Sequence, residues 1–201
     1  MIPRIPALLA VIAVAGLSAS ALAGGECCER AAKEDAWCGA CKHGFFGGVS
    51  IHSKKLHDAL SGKEIDRAKL ECAGCKEAVK EGGSCAKCRV GVIKNRAYPL
   101  AAYAVLSGER ADMDKIKCEG CRKAAKEGGW CESCAVGYVG GRSFKDRAAY
   151  GRAVTSHKVI SEAARTKCEV CAVAMLTDGA CPACNVTFRD GKAERETAPP
   201  E

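Results

Sequence analysis

Aromatic residues are scarce in this chain, and several patterns that define large protein classes are absent. Only 5% of the 201 residues are aromatic, which is too few for an ordinary hydrophobic core, so cross-links are expected to replace packing. After residue 23 no apolar run is long enough to span a bilayer, so we expect no membrane span in the mature chain. The formal net charge is +7, yet basic residues are interleaved with acidic ones, so nucleic acid is not expected as a partner.

The sequence also lacks the patterns of a catalytic site. It contains no phosphate-binding loop, no carboxylate dyad and no paired nucleophile and base. A haem attachment site would need C-x2-C-H, and the nearest match places Lys42 after Cys41. A thiol oxidoreductase would need a C-x2-C pair in a βαβ setting, whereas the cysteines here come in fours without that setting. We therefore expect a protein that is not an enzyme.

The first 23 residues have the features of an export signal. They contain one basic residue, Arg4, then an apolar stretch that ends in Ala-Leu-Ala, a small-x-small cleavage pattern. A membrane span is the alternative, but Ser18 and Ser20 interrupt the stretch and no charged flank follows it. The sequence therefore predicts a signal peptide cleaved after Ala23, and a mature protein that is periplasmic or extracellular.

Cysteine is the residue that this chain has in excess. All 16 cysteines follow residue 23, and such a content indicates a scaffold held by disulfides or metal. The cysteines recur in four repeats, at steps of 47, 46 and 50 residues between the second cysteines of successive repeats. The predicted organisation is a signal peptide (1–23), a degenerate repeat 1 (24–71), repeat 2 (72–117), repeat 3 (118–167), a truncated repeat 4 (168–192) and a disordered acidic tail (193–201).

Each repeat has the same internal order. Two cysteine pairs are separated by nine residues, as in the stretch "CAGCKEAVKEGGSCAKC", and a two-residue turn follows the second pair. Those turns are Gly47-Gly48, Lys94-Asn95, Gly140-Gly141 and Asp190-Gly191. A linking helix comes next, and a second helical stretch is expected over 63–83. The predicted fold class is α+β, a small cross-linked repeat array in which each repeat has a helix carrying C-x2-C, a C-x2-C knuckle, a short β-hairpin and a linking helix.

The repeats resemble the zinc-ribbon and zinc-knuckle class of metal sites. The features that carry this resemblance are the paired C-x2-C elements, the hairpin that follows them, and small residues near the knuckle, namely Gly44, Gly91 and Gly137. The resemblance implies four thiolates around one tetrahedral Zn2+ in a closed, structural site, hence up to four Zn2+. Cu(I) is the alternative ion, because thiolates also favour it. The nine-residue spacer is shorter than in most such sites. The predicted metal ligands are Cys27, Cys28, Cys38, Cys41, Cys72, Cys75, Cys85, Cys88, Cys118, Cys121, Cys131, Cys134, Cys168, Cys171, Cys181 and Cys184.

Spacing leaves two ways of grouping these ligands. Sites formed within repeats use all sixteen cysteines, whereas sites formed across repeats would join Cys85 and Cys88 to the next repeat and leave cysteines over at both ends. We therefore favour sites within repeats. Repeat 1 is irregular, because Gly25 replaces its first cysteine and Cys27 adjoins Cys28. Neighbouring residues on a helix point about 100° apart, so Cys27 is expected to ligate only from an unwound terminus.

Histidine supplies few further ligands in this sequence. His43 follows the second pair of repeat 1 closely and is a spare ligand for that site. All four histidines, His43, His52, His57 and His157, are expected on the solvent-exposed surface.

Disulfides are the main alternative to metal, because exported proteins are usually oxidised. Nested bridges from Cys75 to Cys85 and from Cys72 to Cys88 would close a repeat. A thiolate-bound zinc supplies about 10 to 16 kcal/mol to such a small unit, and two disulfides about 4 to 8 kcal/mol. Four divalent ions on sixteen thiolates would also add negative charge that the excess of Lys and Arg offsets.

These patterns predict a secreted, non-catalytic scaffold with structural zinc sites that binds an unknown protein partner. The first alternative is a metal-handling protein that buffers zinc or carries Cu(I) between a donor and an acceptor. The second is a disulfide-stapled scaffold without metal.

Overall fold

Seven α-helices and a series of short strands form the part of the chain from residue 26 to residue 194. The computed structural model of the protein describes residues 26–194, so the predicted leader, 1–23, and most of the predicted tail, 193–201, lie outside it. The helices are α1 (Glu26–Glu34), α2 (Lys54–Leu60), α3 (Ala73–Glu81), α4 (Leu100–Leu106), α5 (Glu119–Glu127), α6 (Arg147–Arg165) and α7 (Glu169–Thr177). With the small antiparallel sheets described next, they confirm the predicted α+β class and its four repeated units.

Each repeat is centred on one antiparallel sheet, and the sheets of repeats 2 and 3 also include the last strand of the repeat before them. Repeat 1 contains β1 (Trp37–Cys38), β2 (His43–Phe46) and β3 (Val49–Ile51), and repeat 4 contains β12 (Ala180–Cys181), β13 (Val186–Arg189) and β14 (Lys192–Glu194). The sheet of repeat 2 is β4 (Lys63–Glu64), β7 (Arg96–Pro99), β6 (Val90–Ile93) and β5 (Gly83–Cys85), in that order. The sheet of repeat 3 is β8 (Glu109–Arg110), β11 (Arg142–Phe144), β10 (Val136–Val139) and β9 (Trp130–Cys131). The last strand includes the first two residues of the predicted tail.

The four predicted hairpin turns are all present. Both central residues of every turn have positive φ, from 49° at Lys94 and Asp190 to 77° at Gly48. This is the conformation of the two-residue turns whose twist matches that of the strands they join. Lys94-Asn95, the one turn without glycine, adopts the same conformation. The turn predicted from the weakest of the four sequence signals is therefore confirmed.

The predicted helical stretch over 63–83 is wrong in its first half. Gly62, with φ of 70°, ends the preceding segment, and Lys63–Glu64 then pairs with Ala97 and Arg96 of the next hairpin. A single 3-10 turn at Arg67–Lys69 follows, and the α-helix begins only at Ala73. The lysines and glutamates of this stretch favoured a helix, but strand pairing with the following repeat satisfies its backbone instead.

A central hydrophobic core joins the repeats, so the expectation that cross-links replace packing does not hold for the linking helices. Helices α2, α4, α6 and α7 meet around fully buried side chains, among them Leu60, Val105 and Ile160. Repeat 1 adds Phe46 and Ile51 from its hairpin. Four helices with short apolar faces thus form one core, although none of them could bury enough surface alone.

The two terminal repeats are attached to the two inner repeats by matching ion pairs. Asp35 of repeat 1 accepts hydrogen bonds from Arg142 of repeat 3 at 3.3 Å and from Arg110 at 2.8 Å, which lies on β8, the strand that pairs with β11 of repeat 3. Asp178 of repeat 4 pairs with Arg89 of repeat 2, which also contacts Asp190. Both aspartates have a left-handed backbone conformation, and the carboxylate of each accepts a hydrogen bond from a backbone N–H of the hairpin turn in its own repeat. Repeat 1 is therefore held to repeat 3, and repeat 4 to repeat 2.

Changing Asp35 to Asn should destabilise the protein by about 2 kcal/mol. Asn tolerates the left-handed backbone and can still accept from Gly47, but it removes the charge that faces two arginines. Urea unfolding of the metal-loaded protein measures the effect. Asp58→Asn is the control, because Asp58 is exposed and its one ion pair among residues 26–194 is with Lys54 on the same helix, a contact worth at most about 0.5 kcal/mol. Equal stability of the two variants would contradict the structural role of Asp35.

None of the helices in residues 26–194 is both long enough and apolar enough to cross a bilayer.

Candidate metal centres

The sixteen cysteines form four groups, and each group lies within one repeat. In every group all four sulfur atoms lie within 4.8 Å of one another. The grouping within repeats is therefore confirmed, while the binding of a metal by these residues stays a prediction. The groups, called clusters 1 to 4, are Cys27, Cys28, Cys38 and Cys41; Cys72, Cys75, Cys85 and Cys88; Cys118, Cys121, Cys131 and Cys134; and Cys168, Cys171, Cys181 and Cys184.

The N-terminus of a short helix positions the first pair of each regular cluster. In cluster 2, Cys72 is the N-cap residue of α3 and Cys75 is its third residue. Residues three apart share a helix face, and side chains of a helix point toward its N-terminus. Both sulfur atoms therefore converge on the end of the helix, where the positive end of its dipole favours thiolates.

The second pair lies on a strand and the turn that follows it. The residue after the last cysteine is left-handed in all four repeats, with φ between 50° and 54°. These residues are Lys42, Arg89, Ala135 and Asn185. The intrinsic preferences of these residues do not explain this backbone conformation, because it is energetically costly for Lys, Arg and Ala. The knuckle that surrounds the sulfur atoms therefore imposes it.

Repeat 1 reaches the same arrangement by a different route, and the expected unwinding at Cys27 is wrong. Cys27 and Cys28 both lie in the first turn of α1. The Cys27 sulfur is 4.0 Å from that of Cys28 and 3.6 Å from that of Cys41. Cluster 1 lies at the end of the helix rather than beside it, so adjacent side chains that point toward the N-terminus can both reach it.

Distances between the sulfur atoms suit a metal site rather than disulfides. Cys72 and Cys85 are 3.7 Å apart, Cys118 and Cys131 are 3.9 Å apart, and Cys168 and Cys181 are 3.7 Å apart. A disulfide needs a separation of about 2.05 Å, and all sixteen cysteines are free. Four thiolates at about 2.3 Å from one tetrahedral zinc would lie about 3.8 Å from one another. The four clusters thus have the size of tetrathiolate zinc sites.

The electrostatics of the clusters require a cation if all four sulfur atoms are to ionise. The backbone amide of Cys75 favours the Cys72 thiolate and lowers its pKa to about 6, although no formal capping hydrogen bond forms. By contrast, a hydrogen bond with the Cys121 thiol raises the pKa of Cys134 to about 12. One thiolate therefore disfavours the next within a cluster. A bound divalent ion would reverse this effect and deprotonate all four thiols.

The environment of the cysteines is graded in the same way in every cluster. Two cysteines are buried, one is half-buried, and the last cysteine of the knuckle is exposed. The exposed cysteines are Cys41, Cys88, Cys134 and Cys184. An aromatic side chain of the second strand packs against three clusters, and these side chains are Phe45, Tyr138 and Phe188. Three clusters are thus shielded on one side by an aromatic ring, and all four are open to solvent at one cysteine.

Histidine does not take part in the clusters, and the four histidines are not all on the surface. The four sulfur atoms of repeat 1 form their group without the spare ligand His43. His57 is 5% exposed, and this burial lowers its pKa. Its Nε2 lies 3.4 Å from the carbonyl oxygen of Asp35. The expectation that His57 lies on the surface is wrong, because its ring packs over Gly44, where no side chain competes for the space.

Asp35 and Asp178 are important residues that the sequence patterns did not single out. Both lie seven residues after the second cysteine of their repeat, where repeats 2 and 3 have Gly82 and Gly128. Alignment of the four repeats reveals this difference, but it does not reveal the distant arginines that the carboxylates bind.

Three comparisons with known proteins found no matching family model, no matching curated protein and no matching solved structure. The likeness to zinc-ribbon and zinc-knuckle sites therefore remains at the level of the cysteine clusters and the hairpins that follow them.

Proposed function

We propose that this chain is an exported, non-catalytic scaffold in which four tetrathiolate sites each bind one Zn2+. The observation that supports this most strongly is the recurrence of four sulfur atoms within 4.8 Å of one another at the same place in every repeat. A soft tetrahedral S4 site favours zinc, and four protein ligands leave no open position for a substrate, which is typical of structural sites. The repeats would then present a rigid surface to a protein partner.

Zinc in these sites would stabilise parts of the chain that have little packing of their own. Helices α1, α3 and α5 each bury only a cysteine and an alanine. Burial of one alanine side chain cannot offset the conformational entropy of a nine-residue helix. A shared metal that connects helix and knuckle supplies the missing free energy.

Native mass spectrometry combined with thiol alkylation tests the proposal. The exported protein should carry four zinc ions, and after denaturation without reductant sixteen thiols should react with the alkylating reagent. A chain that carries no zinc and lacks two hydrogens for each disulfide would overturn the proposal in favour of the disulfide-stapled scaffold.

A metal-handling role is the second candidate, and the exposed cysteine in every cluster favours it. An incoming thiol or chelator could displace Cys88 or its counterparts first, because these ligands are open to solvent. A buffer should release its ions to a competing chelator within minutes and keep its far-UV circular dichroism. A structural protein should lose the ions slowly and lose helical signal with them. The same competition with a Cu(I)-selective chelator distinguishes Cu(I) transport from zinc buffering.

A further inference from the structure

Two histidines of repeat 1 face each other on the surface beside cluster 1. Gly44 of β2 and Ile51 of β3 are partners in the antiparallel register. His43 comes directly before Gly44, and His52 comes directly after Ile51, so the two histidines lie side by side at the end of this strand pair. The centroids of the two imidazole rings are 5.2 Å apart, with an angle of 49° between the rings. His52 is exposed and His43 is half-buried, so both rings can be reached from solvent.

These two histidines differ from the other two in their hydrogen bonds. The ring nitrogen Nε2 of His57 contacts a backbone carbonyl of Asp35, and that of His157 contacts the carbonyl of Gly47 at 2.8 Å. Within residues 26–194 the ring nitrogens of His43 and His52 have no hydrogen-bond partner. Neutral imidazole nitrogens without partners are good ligands for zinc and other borderline divalent ions.

The spacing of the pair also suits one shared ion. A metal–nitrogen distance of about 2.0 to 2.1 Å places each ring centroid about 3.2 Å from the metal, so two imidazoles at a tetrahedral angle have centroids about 5 Å apart. The observed separation of 5.2 Å agrees with this value. The His43 ring also packs against Phe45, with centroids 4.8 Å apart, which limits the freedom of that ligand.

The position of the pair beside cluster 1 adds an electrostatic attraction. His43 is the strand partner of Cys38, and Phe45 packs against cluster 1. This attraction rests on the proposed function: with a divalent ion on its four thiolates, cluster 1 would carry a net charge of about −2 next to the histidines. Lys42 and Lys54 are nearby cations that oppose a second ion, but both side chains are exposed and screened by solvent.

We propose that His43 and His52 form a fifth, exchangeable site for a divalent ion such as zinc, next to cluster 1 and separate from its four sulfur ligands. Two protein ligands leave positions open for water, so this site binds more weakly than the tetrathiolate clusters and exchanges faster. An ion held there lies at the surface, and His43 is only two residues along the chain from the exposed cysteine Cys41. The site is therefore placed to accept an ion from solvent before cluster 1 does.

Titration of zinc into the zinc-loaded protein, followed through the imidazole carbon and proton signals by NMR, tests this site. Two of the four histidine signals should shift as one further zinc binds, and the signals of His57 and His157 should stay in place. Equilibrium dialysis should count one zinc beyond those in the clusters. His43→Gln and His52→Gln should each abolish that zinc, whereas Lys42→Gln, a neighbouring exposed change, should leave it bound.

Three results would overturn the fifth site: no shift of the two signals, a shift of only one of them, or retention of the extra zinc in both histidine variants. Unchanged NMR signals of His57 and His157 in the two histidine variants show that these variants are folded. If the clusters hold no zinc, dialysis gives fewer than four tightly bound ions, while the two histidine signals still report on their own site. Failure of the proposed function and failure of this inference are therefore distinguishable.

Discussion

Replacing Cys181 and Cys184 by Ser should destabilise the whole protein, whereas the same pair of changes at Cys85 and Cys88 should have a local effect. Both double variants remove the knuckle cysteines of one cluster, so under the proposed function each should lose one zinc. The thermal midpoint of the cluster 4 variant should fall about 10 °C further than that of the cluster 2 variant. Such a difference corresponds to about 3 kcal/mol for a chain of this size.

The reason is that helix α7 belongs both to a cluster and to the central core. It carries Cys171, and its Ala172 and Leu176 are buried between the linking helices. Helix α3 carries Cys75 but contributes no residue to that core. Loss of the ion in cluster 4 should therefore also remove packing around Leu176, and loss of one buried leucine contact alone costs about 2 to 5 kcal/mol.

Hydrogen exchange locates the two effects. In the cluster 2 variant, faster exchange should be confined to α3 and β5, but in the cluster 4 variant it should extend to α4 and α6. Zinc content measured on the same samples is the control, because each should contain three ions. Equal midpoints for the two variants at equal zinc content would show that the clusters stabilise the protein independently of the core.

Changing Gly91 to Ala should cost about 3 kcal/mol of stability. The ring of Tyr103 in α4 lies across this residue of β6, and an added Cβ would come within 1.9 Å of its Cγ. The ring cannot move away easily, because it lies in the middle of a seven-residue helix that packs on the core. Urea unfolding of the zinc-loaded variant measures the loss.

Gly39→Ala is the matched control for this change. Gly39 has no positive φ, and no atom lies within 4 Å of the position of an added Cβ, so its replacement should be close to neutral. Adding Tyr103→Ala to Gly91→Ala should cost less than the sum of the two single changes, because the clash disappears with the ring. A Gly91→Ala variant as stable as the control would contradict the close contact.

The same contact recurs in three repeats and explains small residues that the sequence left ambiguous. Tyr150 of α6 lies across Gly137, and His57 of α2 lies across Gly44. From the sequence alone, these three glycines are interpreted as the small residues that accompany a metal-binding knuckle. Their role in the structure is to admit an aromatic ring from the linking helix, which brings helix and hairpin together.

Local features of the molecule could be predicted because short-range geometry determines them. Cysteines three residues apart at a helix start converge whatever the rest of the chain does, and Gly-Gly or Asp-Gly turns need positive φ. The grouping of Cys72 with Cys88 spans only 17 residues, and a repeated spacer indicated it. The strands at Lys63–Glu64 and Glu109–Arg110 could not be predicted in this way, since their partners lie in the next repeat.

The sequence by itself determined four repeated units, the sixteen cysteines that group within them and the hairpin after each knuckle, because these depend on residues close together along the chain. Only the tertiary structure decided that repeat 1 contacts repeat 3 and repeat 4 contacts repeat 2. Asp35 and Arg142 are 107 positions apart, and Arg89 and Asp190 are 101 apart. Such contacts follow from how the linking helices pack around one core, which no local spacing encodes.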